Sequence, residues 1–142
     1  MKKIVFVCVL SLSLISLCFS QKEVSGQNGQ VITLNAKGNR LNIGVPDEFD
    51  VAYGGATLTS SQVMKIVGLM EQLSDSLKSN TAFNIREIYR FTSVGDGLIQ
   101  ISFSGIRRGE EPDIPPHSLK MNVSEFENLI KALKTESDKL PD

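Results

Sequence analysis

The sequence predicts an α+β domain: an antiparallel sheet of about six strands with two amphipathic helices packed on one face. Two observations carry that expectation. Apolar residues follow period 2 through five short runs beside one β-branched run, and they repeat at helical spacing in two longer ones. A third concerns order, because each helical run follows a group of strand-like runs, so the chain reads as two successive units of three strands and a helix.

The elements follow in chain order. Residues 1–20 read as a cleavable signal peptide. Lys2 and Lys3 form a basic start, and the stretch from Ile4 to Leu17 is apolar apart from Ser11, Ser13 and Ser16. That stretch is shorter than the roughly 20 residues of a membrane span. Cys18-Phe19-Ser20 supplies small residues at the cleavage positions, so the working chain is expected to begin at Gln21. A bacterial lipid attachment at Cys18 would instead anchor the chain, but Leu17 stands where such signals carry a small residue. Residues 21–30 are polar and glycine-containing and read as a flexible N-terminus. The domain is then expected over 31–137, with a frayed tail at 138–142.

Val31-Ile32-Thr33-Leu34 is β-branched and reads as a strand, with a turn at 35–39 built on Gly38 or Asn39. Leu41, Ile43 and Val45 alternate in the next strand. Phe49, Val51 and Tyr53 alternate in a third, which Gly54-Gly55 is expected to end. Val63, Ile66, Val67, Met70, Leu73 and Leu77 then form one stripe of a helix over 60–78, entered through Thr59 with Gln62, or Ser60. Gly68 interrupts it at a point suited to close packing against the sheet. Phe83, Ile85, Tyr89 and Phe91 suggest a long strand in which Glu87 and Ile88 break the alternation. Gly95-Asp96-Gly97 marks a hairpin, and Ile99, Ile101 and Phe103 follow it. Residues 107–117 are charged and proline-rich and read as a loop. Leu119, Met121 and Val123 make the last strand. Ser124 with Glu127 reads as the capping box of a second helix along Phe126, Leu129, Ile130 and Leu133.

The two helical segments match at a constant offset. Ser61, Val63, Ile66, Val67 and Met70 correspond in turn to Ser124, Phe126, Leu129, Ile130 and Leu133, and Leu58 corresponds to Met121. In element order the arrangement resembles Whirly-like and PUR-repeat folds, a likeness that carries no shared motif. Those families bind nucleic acid, whereas the composition here predicts a different partner. Without Lys2 and Lys3 the 15 basic residues become 13 against 16 acidic, a net charge of −3. The one basic doublet, Arg107-Arg108, is followed directly by Glu110, Glu111 and Asp113.

Catalytic chemistry finds little support. Both cysteines, Cys8 and Cys18, lie within the signal segment, so the mature chain has no thiol. His117 is the only histidine and follows Pro115-Pro116, where a loop position outweighs a general base. No nucleophile elbow, metalloprotease helix or phosphate loop occurs. Glu110-Glu111-Pro112-Asp113 lacks the spacing of a calcium loop. No cofactor and no metal are expected. The expected function is a small exported binding or accessory domain, periplasmic or secreted and of bacterial type, that engages an envelope protein or small ligand. Its surface would combine Arg86, Arg90, Gln100, Ser102 and Ser104 of the open sheet face with Arg107, Arg108, Glu110, Glu111, Asp113 and His117 of the loop. The alternatives are an exported hydrolase working through carboxylates and a homodimer joined through sheet edges.

Overall fold

Alternation places every second side chain of a strand on one face, and here those side chains are the buried ones. The computed structural model describes residues 21–46, 52–86, 89–103 and 117–141. The elements are β1 (Lys22–Ser25), a 3₁₀ turn (Gln27–Gly29), β2 (Val31–Lys37), β3 (Arg40–Pro46), β4 (Ala52–Thr59), α1 (Ser60–Lys78), β5 (Asn84–Arg86), β6 (Tyr89–Ser93), β7 (Leu98–Phe103), β8 (His117–Asn122) and α2 (Val123–Ser137). The fold is α+β. Instead of one six-stranded sheet there are two antiparallel four-stranded sheets, in the orders β1-β2-β3-β4 and β5-β6-β7-β8, each followed by its helix.

The two additional strands have identifiable origins. Residues 21–30, expected to be loose, form β1 and the 3₁₀ turn, with Val24 opposite Ile32 and buried. The run expected as one strand over 83–91 is two, β5 and β6, with Arg86 opposite Arg90. Glu87 and Ile88, where the alternation breaks, lie outside the described residues. Gly54-Gly55 does not end β4. Gly55 pairs with Gly44 and the ladder continues to Thr59, because pairing with an inner strand outweighs glycine's weak strand preference.

Turn chemistry follows expectation elsewhere. Gly38 takes a φ of 60°, and Gly95, Asp96 and Gly97 all have positive φ in the β6–β7 hairpin. Helix α1 spans the expected residues and buries the whole expected stripe. Gly68 does not touch a sheet, since a Cβ there would meet nothing within 4 Å. The cap of α2 is not Ser124. Asn122 ends β8 in an extended conformation (φ −81°, ψ 174°), and its Oδ1 accepts from the Glu125 amide at 2.9 Å. Glu125 Oε2 accepts in return from the Asn122 amide at 2.8 Å. Ser124 already lies inside the helix. The expected frayed tail instead turns back and buries Leu140.

Both sheets turn their apolar faces toward the helices and share one core. Ile32 and Ile43 of the first sheet, Phe91 and Ile101 of the second, and Met70 and Leu133 of the helices line a void of about 20 Å³ at the centre. That volume is about the size of one water molecule, too small for a ligand. The helices run antiparallel. Ser60 Oγ at the start of α1 lies 2.9 Å from Ser137 Oγ at the end of α2, and Lys78 at the end of α1 pairs with Glu127 near the start of α2. Between these ends Glu71 pairs with Lys134, and the two positions are 63 apart, so each is the other's equivalent in the repeat. The helix pair is therefore pseudo-twofold about that contact.

Candidate functional site

With the apolar faces turned inward, the outer face of the second sheet is left to polar side chains. Strand register sets them in two rows. One row runs Arg86, Arg90, Ser102 and Ser118; the next runs Asn84, Thr92, Gln100 and Lys120. Arg86, Arg90 and Lys120 are exposed, while Thr92, Gln100, Ser102 and Ser118 are half-buried between them. Thr92 Oγ1 donates to Asn84 Oδ1 at 3.3 Å. Neither row contains a carboxylate. Arg86 and Arg90 stand directly opposite each other on paired strands, an arrangement of like charge that weakens a sheet by a few tenths of a kcal/mol.

Of the residues expected to form the site, the structure brings together Arg86, Arg90, Gln100 and Ser102. Ser104, Arg107, Arg108, Glu110, Glu111 and Asp113 lie outside the described residues, as do residues 1–20 with Cys18. His117 begins β8, where its backbone pairs with Phe103. Lys120 was not anticipated, although its alternation with buried Leu119 and Met121 assigns it to the same face as Gln100.

The turn after β1 approaches the edge of this sheet at β8. Gln30 Nε2 donates to the Ser118 carbonyl at 3.2 Å. A Cβ on Gly26 would stand 2.9 Å from both the Lys120 carbonyl oxygen and Leu119 Cδ1, so only glycine permits this approach. Gln27 Nε2 also donates to Glu125 Oε2 at 2.6 Å. The turn after β1 thus ties the first unit to β8 and to the start of α2.

The carboxylates of Glu71, Glu127 and Glu136 belong to the helices, each paired with a lysine. Lys78, hydrogen-bonded to Glu127, holds that carboxyl below its ordinary value; Glu127 in turn raises Lys78. Burial pushes the Tyr89 phenol upward. Among the described residues no cluster of three or more His, Cys, Asp or Glu is placed to hold a metal ion, and no helix is long and apolar enough to cross a membrane. No protein-family model matches the chain, and no curated protein matches it in sequence.

Proposed function

We propose that the chain is a small exported binding domain, processed at Ser20–Gln21, that acts as an accessory module without catalysing a reaction. Its working surface in this reading is the outer face of the second sheet. The supporting observation is the juxtaposition of Arg86 with Arg90, with Lys120 in the adjacent row on β8, on a face with no carboxylate in either row. Arginine forks suit carboxylate or phosphate groups, and hydroxyl and amide side chains between the cations add directional hydrogen bonds. An anion placed between Arg86 and Arg90 would relieve their mutual repulsion. The face therefore suits an anionic group on an envelope partner or small ligand.

The test is cross-linking capture from the native cell envelope with the exported protein as bait. The double variant Arg86→Ala/Arg90→Ala should lose the partner that the unaltered protein captures. Its stability should stay within about 0.5 kcal/mol, because both side chains are exposed. Capture that persists unchanged in the double variant would overturn this reading.

A further inference from the structure

A cut at Ser20–Gln21 creates an α-amine on a glutamine. On that residue the amine and the side-chain amide carbon, Cδ, can join to close a five-membered ring. Both reacting groups sit on one residue, so no second molecule has to be brought in and oriented. An α-amine ionises at about 8, so at neutral pH part of it is present as the unprotonated nucleophile. The step balances within the residue. A bond forms between the α-nitrogen and Cδ, and the bond from Cδ to Nε2 breaks. Nε2 leaves as ammonia with the proton that the α-nitrogen gives up.

The fold leaves Gln21 open to this step. Gln21 is exposed and stands just before β1, whose ladder starts with Lys22 opposite Leu34. Its Nε2 donates to Glu23 Oε1 at 3.4 Å, a long and weak bond at the surface. Ring closure uses the α-nitrogen and the side chain alone, so the Gln21 carbonyl and the Lys22 amide keep their places. The consequence falls on β1. This strand has four residues, Lys22–Ser25, and its Val24 is buried opposite Ile32. Chain ends are where proteolysis concentrates. An aminopeptidase that grips a free α-ammonium would remove Gln21 and then consume β1 residue by residue. A lactam offers no such group, and it also removes a positive charge beside Lys22.

We infer that Gln21 is a modification site: in the processed chain it is closed to a pyroglutamate lactam, and the ring shields β1 from trimming. The inference rests on the export reading through the cut at Ser20–Gln21. It does not rest on the cationic sheet face.

The experiment is mass spectrometry of the full chain after export by its native cell, on the intact protein and on its N-terminal peptide. That peptide is expected to start at residue 21, to be lighter than its sequence by one ammonia, and to resist labelling at the α-amine. Gln21→Ala should be cut at the same bond and should carry a free amine that labels. Incubation with an aminopeptidase should leave the unaltered protein whole and should trim the Gln21→Ala variant into β1. Enzymatic removal of the pyroglutamate should make the unaltered protein equally sensitive. A chain that begins at Gln21 with its full mass and a labelled amine would overturn the inference while the export reading stands. A chain that begins at any other residue would overturn both. A lactam-bearing protein trimmed as fast as Gln21→Ala would overturn the protective role.

Discussion

The two halves of the molecule share an interior and differ in exterior. From the strand before each helix onward, equivalent positions keep the offset that separates Glu71 from Lys134. Val63 and Phe126, Ile66 and Leu129, Val67 and Ile130, Met70 and Leu133, and even Ser74 and Ser137 are all buried. Thr59 and Asn122 are both N-caps, and Gln62 and Glu125 both accept the cap's amide. The outer faces do not follow this rule. On the first sheet Thr33 Oγ1 donates to the Gly44 carbonyl and Thr57 Oγ1 to Asn42 Oδ1, while Lys37 stands opposite Arg40. On the second sheet two arginines face each other. Inner positions are constrained because both units fill one core. Outer positions carry no such constraint, and each sheet places a like-charge pair there, Lys37 opposite Arg40 and Arg86 opposite Arg90.

The largest test of that comparison is in the core. Phe126 is fully buried, lies edge-on to Phe91 with ring centroids 6.4 Å apart, and occupies the place that Val63 holds in the first unit. Phe126→Ala should cost about 4 kcal/mol of unfolding free energy, and Val63→Ala about 2 kcal/mol, in proportion to the volume each removes. Equal losses measured by denaturant titration would mean that the two units fill the centre in the same way despite the different side chains. Position 136 shows a related asymmetry: Glu136 is buried and paired with Lys139 where the first unit has Leu73.

A middle-sized effect concerns what the sequence left ambiguous. It contains two overlapping cap patterns, Asn122-x-x-Glu125 and Ser124-x-x-Glu127. Local chemistry does not choose between them. The choice is made by β8, which stays paired with β7 as far as Asn122, so the helix starts at the earlier pattern. Glu127 is then released to meet Lys78. Asn122→Ala should therefore cost about 1 kcal/mol and Ser124→Ala close to nothing. A larger loss for Ser124→Ala in thermal unfolding would move the cap back to the later site.

Legibility divides along the same physical line. Helix α1, its buried stripe and the Gly95–Gly97 hairpin depend on neighbours within a turn or two, and they could be read from spacing. Strand β1 could not, because Lys22-Glu23-Val24-Ser25 has one apolar residue and becomes a strand only through β2. The number of sheets was equally hidden. Alternation says that a residue faces inward, not which sheet it belongs to. Arg86, Arg90, Gln100 and Ser102 were legible as a face by alternation alone, whereas the contact of Gly26 with β8 needed the tertiary approach of a distant strand.

The smallest effect compares the two ends of the helix pair. The pseudo-twofold would make them alike, yet one end is neutral, Ser60 against Ser137, and the other is charged, Glu127 with Lys78 and Ser74. The hydrogen bond from Lys78 lowers the Glu127 carboxyl below its ordinary 4.5. Its contribution is present above that value and is lost as pH falls through the lowered one. Lys78 is raised above its ordinary 10.5 by the hydrogen bond and charge of Glu127. Its contribution is present below 10.5 and is lost as pH rises through the raised value. The pair thus supports the charged end across the interval between them and weakens with salt, since both groups are exposed. By NMR, the Glu127 carboxyl should titrate below 4.5 and move back upward in Lys78→Ala. Amides around Lys78 and Glu127 should lose protection in acid before those around Ser60 and Ser137. If both ends loosen together, or if Lys78→Ala leaves the Glu127 titration where it was, the charged contact does not distinguish the two ends.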